Sequence, residues 1–118
     1  MKLSVSTDVQ SHADEVLNEL QQAKLRALET IGLVAEGYAK EKIREVGAYD
    51  TGRLWNSISH AVSESEQAAV IGTNVEYAPY VELGTSKMDP RPYLQPAATN
   101  HIDEYRQIVD EVMRGEEG

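Results

Sequence analysis

Asp50-Thr51-Gly52 is the triplet in this sequence that carries the most chemistry. A carboxylate held on such a loop, paired with the same carboxylate of a second copy, can share one proton and activate water, which is the chemistry of an aspartic-type peptidase. A chain of 118 residues could supply one half of that site and a homodimer the whole. The surroundings oppose it. The hydrolytic loop sits among strands and continues with a small residue, whereas here Arg53 follows and some 35 residues of helical pattern precede. The structural reading of Asp50 and Thr51 is a cap or turn that opens a short helical segment through Leu54, with Gly52 helping to fix the bend.

Other reactive groupings are thin. His12, His60 and His101 are dispersed, and none has a second histidine at helical spacing for a metal. No P-loop, dinucleotide fingerprint or nucleophile elbow occurs, and no calcium-loop spacing is found. The sequence therefore implies no catalytic residue, cofactor or metal. With zero cysteines, disulfides and thiolate metal sites are excluded, and a reducing cytoplasm is the expected place of synthesis. The net charge of -9 argues against a grip on nucleic acid, since phosphate contacts need clustered Lys and Arg and the 11 bases here are scattered. Glu64, Glu66, Glu116 and Glu117 read as solvated surface. Hydrophobic residues at 41% and charged residues at 26% are the balance of a globular domain, with neither a signal peptide nor a membrane span.

The elements that would position any site follow from periodicity. From Ser11 to Val46 apolar residues recur at three-and-four spacing, which predicts one helix roughly 50 Å long, capped by Ser11 and ended by Gly47 in a left-handed conformation. Gly32 and Gly37 are places where it could bend. So long an apolar face on one small domain, 1–118, hints at a partner subunit. Alternation over Ser57 to Val62 and Ala68 to Thr73 around SESEQ predicts a β-hairpin, and Lys2 to Ser6 could add a third strand. A last helix carries Leu94, Ala98, Ile102, Tyr105, Val109 and Val112 on one face, and residues 115–118 form a frayed tail. The fold class is α+β, a small antiparallel sheet packed against a long N-terminal helix and a C-terminal helix.

Between hairpin and last helix lies EYAPYVELGTSKMDPRPYLQP, from Glu76 to Pro96, with all four prolines and three of the six tyrosines. Pro79 suits the first position of a short helical turn and Gly84 its exit. Tyr77, Tyr80, Val81 and Gly84 share a face, pinning this part to the core. Asp89 and Arg91 precede prolines, so Lys87 to Arg91 is expected to cross the domain as an extended strap, with Thr85 to Pro90 held mainly by proline stiffness and with Met88 as its one apolar contact. Pro92 is placed at the start of the last helix, and Pro96 is expected to kink or delay it.

Taken in order, these segments resemble the head-to-tail joining family of tailed bacteriophages and prophages, the neck, tail-completion and minor tail components. The residues that carry the resemblance are Asp50-Thr51-Gly52-Arg53-Leu54 with Asn56-Ser57-Ile58, the run Gly72 to Thr85, and Arg91-Pro92-Tyr93-Leu94. The match is close from Gly47 to Ala97 and loose before it. It implies structural work in the virion neck or tail, as a subunit of a ring that contacts itself and neighbouring neck or tail proteins. The acidic chain would lie beside the DNA channel without binding it specifically, and no membrane is involved. On this reading Asp50, Thr51, Gly52, Trp55, Tyr77, Tyr80, Glu82, Gly84, Lys87, Met88 and Arg91 form the interaction surface. Trp55 departs from the family, which has a polar or basic residue there. A generic protein-interaction module is the plainer alternative.

Overall fold

In a computed structural model, residues 2–47 and 51–115 are described. One helix, α1, runs unbroken over Lys2–Val46 and sets the long axis of a molecule 75 Å by 25 Å by 21 Å. Among its residues of described burial six are buried, the alanines Ala23, Ala27, Ala35 and Ala39 together with Gly32 and Ile43. A four-residue step advances about 40° past a full turn, so this line winds around the helix and different elements cover it in succession. Small side chains let those elements approach closely. α1 ends where Gly47 adopts φ 62°, as its position after the last apolar residue predicts.

The start of α1 corrects the sequence reading. Lys2 to Ser6 is helical, not a third strand, and Ser11 lies inside the helix and not at its cap. Two alternating apolar residues are a weak strand signal, and extending an existing helix adds one hydrogen bond per residue fixed. Gly32 and Gly37 do not interrupt the helix either.

After α1 come α2 (Thr51–Ser57), β1 (Ser59–Ser63) and β2 (Ala68–Gly72). The strands pair antiparallel with His60 opposite Ile71 and Val62 opposite Ala69, and Glu64 to Gln67 close the turn through Gln67 N–H donating to the Glu64 carbonyl at 3.3 Å. This is a two-stranded sheet. A hairpin of that size is marginal alone. It is stabilised here by lying on α1, with Val70 on its outer face.

Three short helices complete the chain, α3 (Ala78–Leu83), α4 (Leu94–Thr99) and α5 (Ile102–Met113). The main core gathers Ala39, Ile43, Leu54, Ile58, Val75, Ala78, Val81, Tyr93 and Ala97; a smaller one joins Ala23 and Ala27 of α1 to Val112 of α5. The expected single last helix is thus two. Pro96 is the third residue of α4, inside the first turn where an N–H lacks an intrahelical acceptor, so it neither kinks nor delays the helix. Pro92 stands before the Tyr93 cap and starts nothing. The break falls at Asn100 and His101. His101 stacks on Tyr38 of α1 at 3.5 Å between ring centroids, and the Tyr105 hydroxyl crosses the break to donate to the Ala97 carbonyl. The buried face also differs from the expected one. Ala97, Tyr105 and Val112 are buried, while Ala98, Ile102 and Val109 are exposed.

Candidate functional site

The segment from Arg53 to Gln95 is stitched together by contacts between its own motifs. Arg53 of α2 forms a two-pronged pair with Glu76, at 3.2 and 2.9 Å, and its guanidinium lies 5.5 Å from the centre of the Tyr77 ring. Both charged side chains are largely exposed, so the pair fixes geometry more than it adds stability. The Glu76 carboxyl is held below its usual range by its own backbone N–H and by Arg53.

α3 follows, with Pro79 as its second residue and not its first. Its inner face is Ala78 and Val81; Tyr80 is 58% and Leu83 75% exposed. The proposed common face of Tyr77, Tyr80, Val81 and Gly84 is therefore split, because Tyr80 points outward. At the exit Gly84 has φ 78° and ψ 176°, and a Cβ there would stand 2.7 Å from the Pro90 nitrogen. Both the dihedral and the close approach require glycine.

Thr85 to Met88 is a closed turn. Thr85 N–H donates to the Met88 carbonyl at 2.8 Å, Met88 N–H returns the bond at 3.3 Å, and Lys87 N–H donates to the Thr85 hydroxyl at 3.2 Å. Local hydrogen bonds hold this tip, which corrects the expectation that proline stiffness is its main support and that the extended strap begins at Lys87. Beyond it the Arg91 N–H donates to the Val81 carbonyl at 2.7 Å, and the Arg91 guanidinium donates to the Gly47 carbonyl at 2.9 Å. Arg91 thereby ties the segment to the end of α1.

Glu82 makes the stitch with the most bonds. One carboxylate oxygen accepts from the N–H groups of Tyr93 and Leu94, at 3.0 and 2.9 Å, and the other from Gln95 at 3.0 Å. These are donors at the start of α4 that no helix residue can satisfy, so a side chain of α3 caps a helix eleven to thirteen residues later. Tyr93 between them is wholly buried, and burial together with the Glu82 charge pushes its phenol up to about 12.

Trp55 sits partly buried between two cations of α1, the Lys40 ammonium at 4.6 Å and the Arg44 guanidinium at 5.2 Å from its ring. Trp55 thus has a local packing role. Asp50 lies outside the described residues. Thr51 and Gly52 begin α2, a helical placement unlike the strand-borne loop that the peptidase reading requires. Among the described residues no group of three His, Asp or Glu side chains could hold a metal, and no helix is long and apolar enough to cross a membrane.

Of the eleven residues expected at an interaction surface, Tyr77, Glu82, Gly84 and Arg91 come together as internal joints. Lys87 and Met88 are at the turn tip, Tyr80 is free on the outer face, and Trp55 packs on α1. Sequence reasoning passed over Leu83, which protrudes into solvent and walls a groove of about 410 Å³ with Val75, Pro79 and Leu94. It also missed the Arg53–Glu76 pair. An apolar residue three places after a tyrosine in a six-residue helix gives no signal of which one faces out; only the packing of Val81 decides it. No family model, curated protein or solved structure matches the chain.

Proposed function

We propose that this chain is a structural subunit of a tailed-phage or prophage virion, acting in head-tail joining or tail completion as part of a neck ring. The observation that carries the reading is that the three sequence blocks of the resemblance meet in one rigid unit. Arg53 binds Glu76, Glu82 caps Tyr93 and Leu94, and Arg91 grips the end of α1. A segment ordered in advance loses little entropy on docking, which suits a joint between subunits. Outside it the chain offers apolar side chains that its own fold leaves uncovered, Leu83 and Tyr80 on α3 and Leu17, at 62% exposure, on the overhanging part of α1. Side chains of this kind support contacts with further copies and with neighbouring neck or tail proteins. No specific nucleic-acid partner is proposed for a chain of charge -9.

Deleting the gene in its phage or prophage is expected to leave filled heads and separate tails, or tails of defective length, in the lysate. Infectious particles of normal form would refute the proposal. Hydrogen exchange gives a second measurement. The Ser86 to Asp89 tip, exposed apart from Met88, is expected to exchange quickly in the free subunit and to gain protection in particles. Equal protection in both states would leave the tip with no part in assembly.

A further inference from the structure

The imidazole of His60, on β1, lies across α1 where Gly32 leaves room for it. A Cβ at Gly32 would fall 2.7 Å from the ring Cδ2. The two ring nitrogens face two carboxylates of the same helix, Nδ1 at 2.8 Å from Glu36 and Nε2 at 2.6 Å from Glu29. Glu29 and Glu36 are two turns apart on one face with Gly32 between them, so the ring spans a slot cut to its length.

Ionised carboxylates only accept hydrogen bonds, and a neutral imidazole has one N–H and one lone pair. A neutral His60 would therefore turn a lone pair toward a carboxylate oxygen at hydrogen-bond distance. Both contacts close together only when both ring nitrogens carry protons. We propose that His60 is a proton-dependent clasp holding the β1–β2 hairpin on α1, loaded with both ring protons at neutral pH and opened as the pH rises.

The groups around the ring agree. Glu29 and Glu36 face it from α1, and Lys40 takes the second Glu36 oxygen at 3.3 Å. Across the sheet its neighbour is Ile71, which is apolar. The His60 side chain is only 15% exposed. The Glu36 hydrogen bond, then that of Glu29, raises the ring above its usual 6.5 against the opposing effect of burial, and Glu36 is lowered from 4.5 chiefly by His60. A raised histidine contributes stability that is complete below 6.5 and is lost as pH climbs through the raised value; a lowered glutamate contributes stability that is complete above 4.5 and is lost as pH falls through the lowered value. The clasp is thus tightest between pH 4.5 and 6.5. Its two carboxylates sit at opposite nitrogens and cannot converge on one ion. The inference is independent of the virion role.

Nitrogen NMR of the full chain across pH tests it, together with hydrogen exchange of the Ser59–Ser63 and Ala68–Gly72 amides corrected for intrinsic base catalysis. At pH 7, where an ordinary histidine is mostly neutral, both His60 nitrogens are expected to be protonated. Hairpin protection is expected to fall about tenfold as the ring titrates. In Glu29→Gln, the new amide can donate or accept, so a neutral ring is satisfied. Glu29 is 62% exposed, which spares the fold. This variant is expected to titrate nearer the ordinary value, with a smaller fall in protection as the pH rises, since the Glu36 contact remains. A single neutral tautomer at pH 7 overturns the proposal. So does protection that ignores the titration, or that keeps its full pH dependence in Glu29→Gln.

Discussion

Replacing Gly84 with alanine is expected to destabilise the chain by about 3 kcal/mol or more, one of the largest effects of any single substitution outside the core. Two costs combine. The backbone at φ 78° and ψ 176° lies in a region that side chains other than glycine rarely enter. The added methyl would also meet the Pro90 nitrogen at 2.7 Å, its Cδ at 2.8 Å and the Met88 carbonyl at 2.9 Å. None of these atoms is the far end of a flexible side chain, so relief requires moving the Thr85–Met88 turn and, with it, the Arg91 bond to Val81. Urea unfolding measures this as a fall in midpoint with an unchanged slope. A loss below about 1 kcal/mol would mean that the segment relaxes freely and is not the rigid unit described above.

Glu82→Ala is expected to cost about 2 to 3 kcal/mol, because a charged acceptor is withdrawn from three backbone donors at once. Glu82→Gln separates charge from geometry. A glutamine keeps one acceptor oxygen, which can still serve Tyr93 and Leu94, and is expected to lose roughly 1 kcal/mol. Chemical denaturation of the two variants gives the comparison, and near-ultraviolet absorption of Tyr93 at alkaline pH gives a local readout. With the Glu82 charge gone, the Tyr93 phenol should ionise below the value of about 12 that it has in the parent chain, while burial keeps it above 10. Equal losses for Ala and Gln would assign the whole effect to the carboxylate charge, with nothing left for the retained acceptor and side-chain packing.

The hairpin, the left-handed stop at Gly47, the glycine exit at Gly84 and the long helix up to Val46, though not its continuity, were legible because each is written in adjacent residues. Alternation, SESEQ and a glycine after the last apolar position are all local signals. What escaped is non-local. Nothing near Glu82 indicates that its carboxylate will cap Leu94, and nothing near His60 points to a helix 24 residues earlier. The strand expected at Lys2 to Ser6 failed for the opposite reason. Its alternation was genuine, but a strand exists only with a neighbour, and the next stretch extended a helix instead. Pro96 was misplaced by assuming one last helix, since the same proline that breaks a helix interior is harmless in a first turn. The packing of the residues expected at an interaction surface was half legible. Tyrosines and prolines marked a segment that the structure stitches together, while their division between inner joint and outer ridge depended on how α3 rolled onto Val81.

The unbroken α1 gives the molecule mechanical leverage. At about 1.5 Å per residue, its 45 residues make a rod of roughly 67 Å, and Arg91 holds that rod at the carbonyl of Gly47, just beyond its C-terminal end. The rod is packed along Ala23 to Ile43, so the lever is the roughly 31 Å from Lys2 to Gln22. A tilt of about 10° where it leaves the core sweeps its end through roughly 5 Å, about the rise of a whole helical turn. Repacking too small to disturb the core around Tyr93 is thereby magnified into a displacement large enough to engage or release whatever the distant end touches.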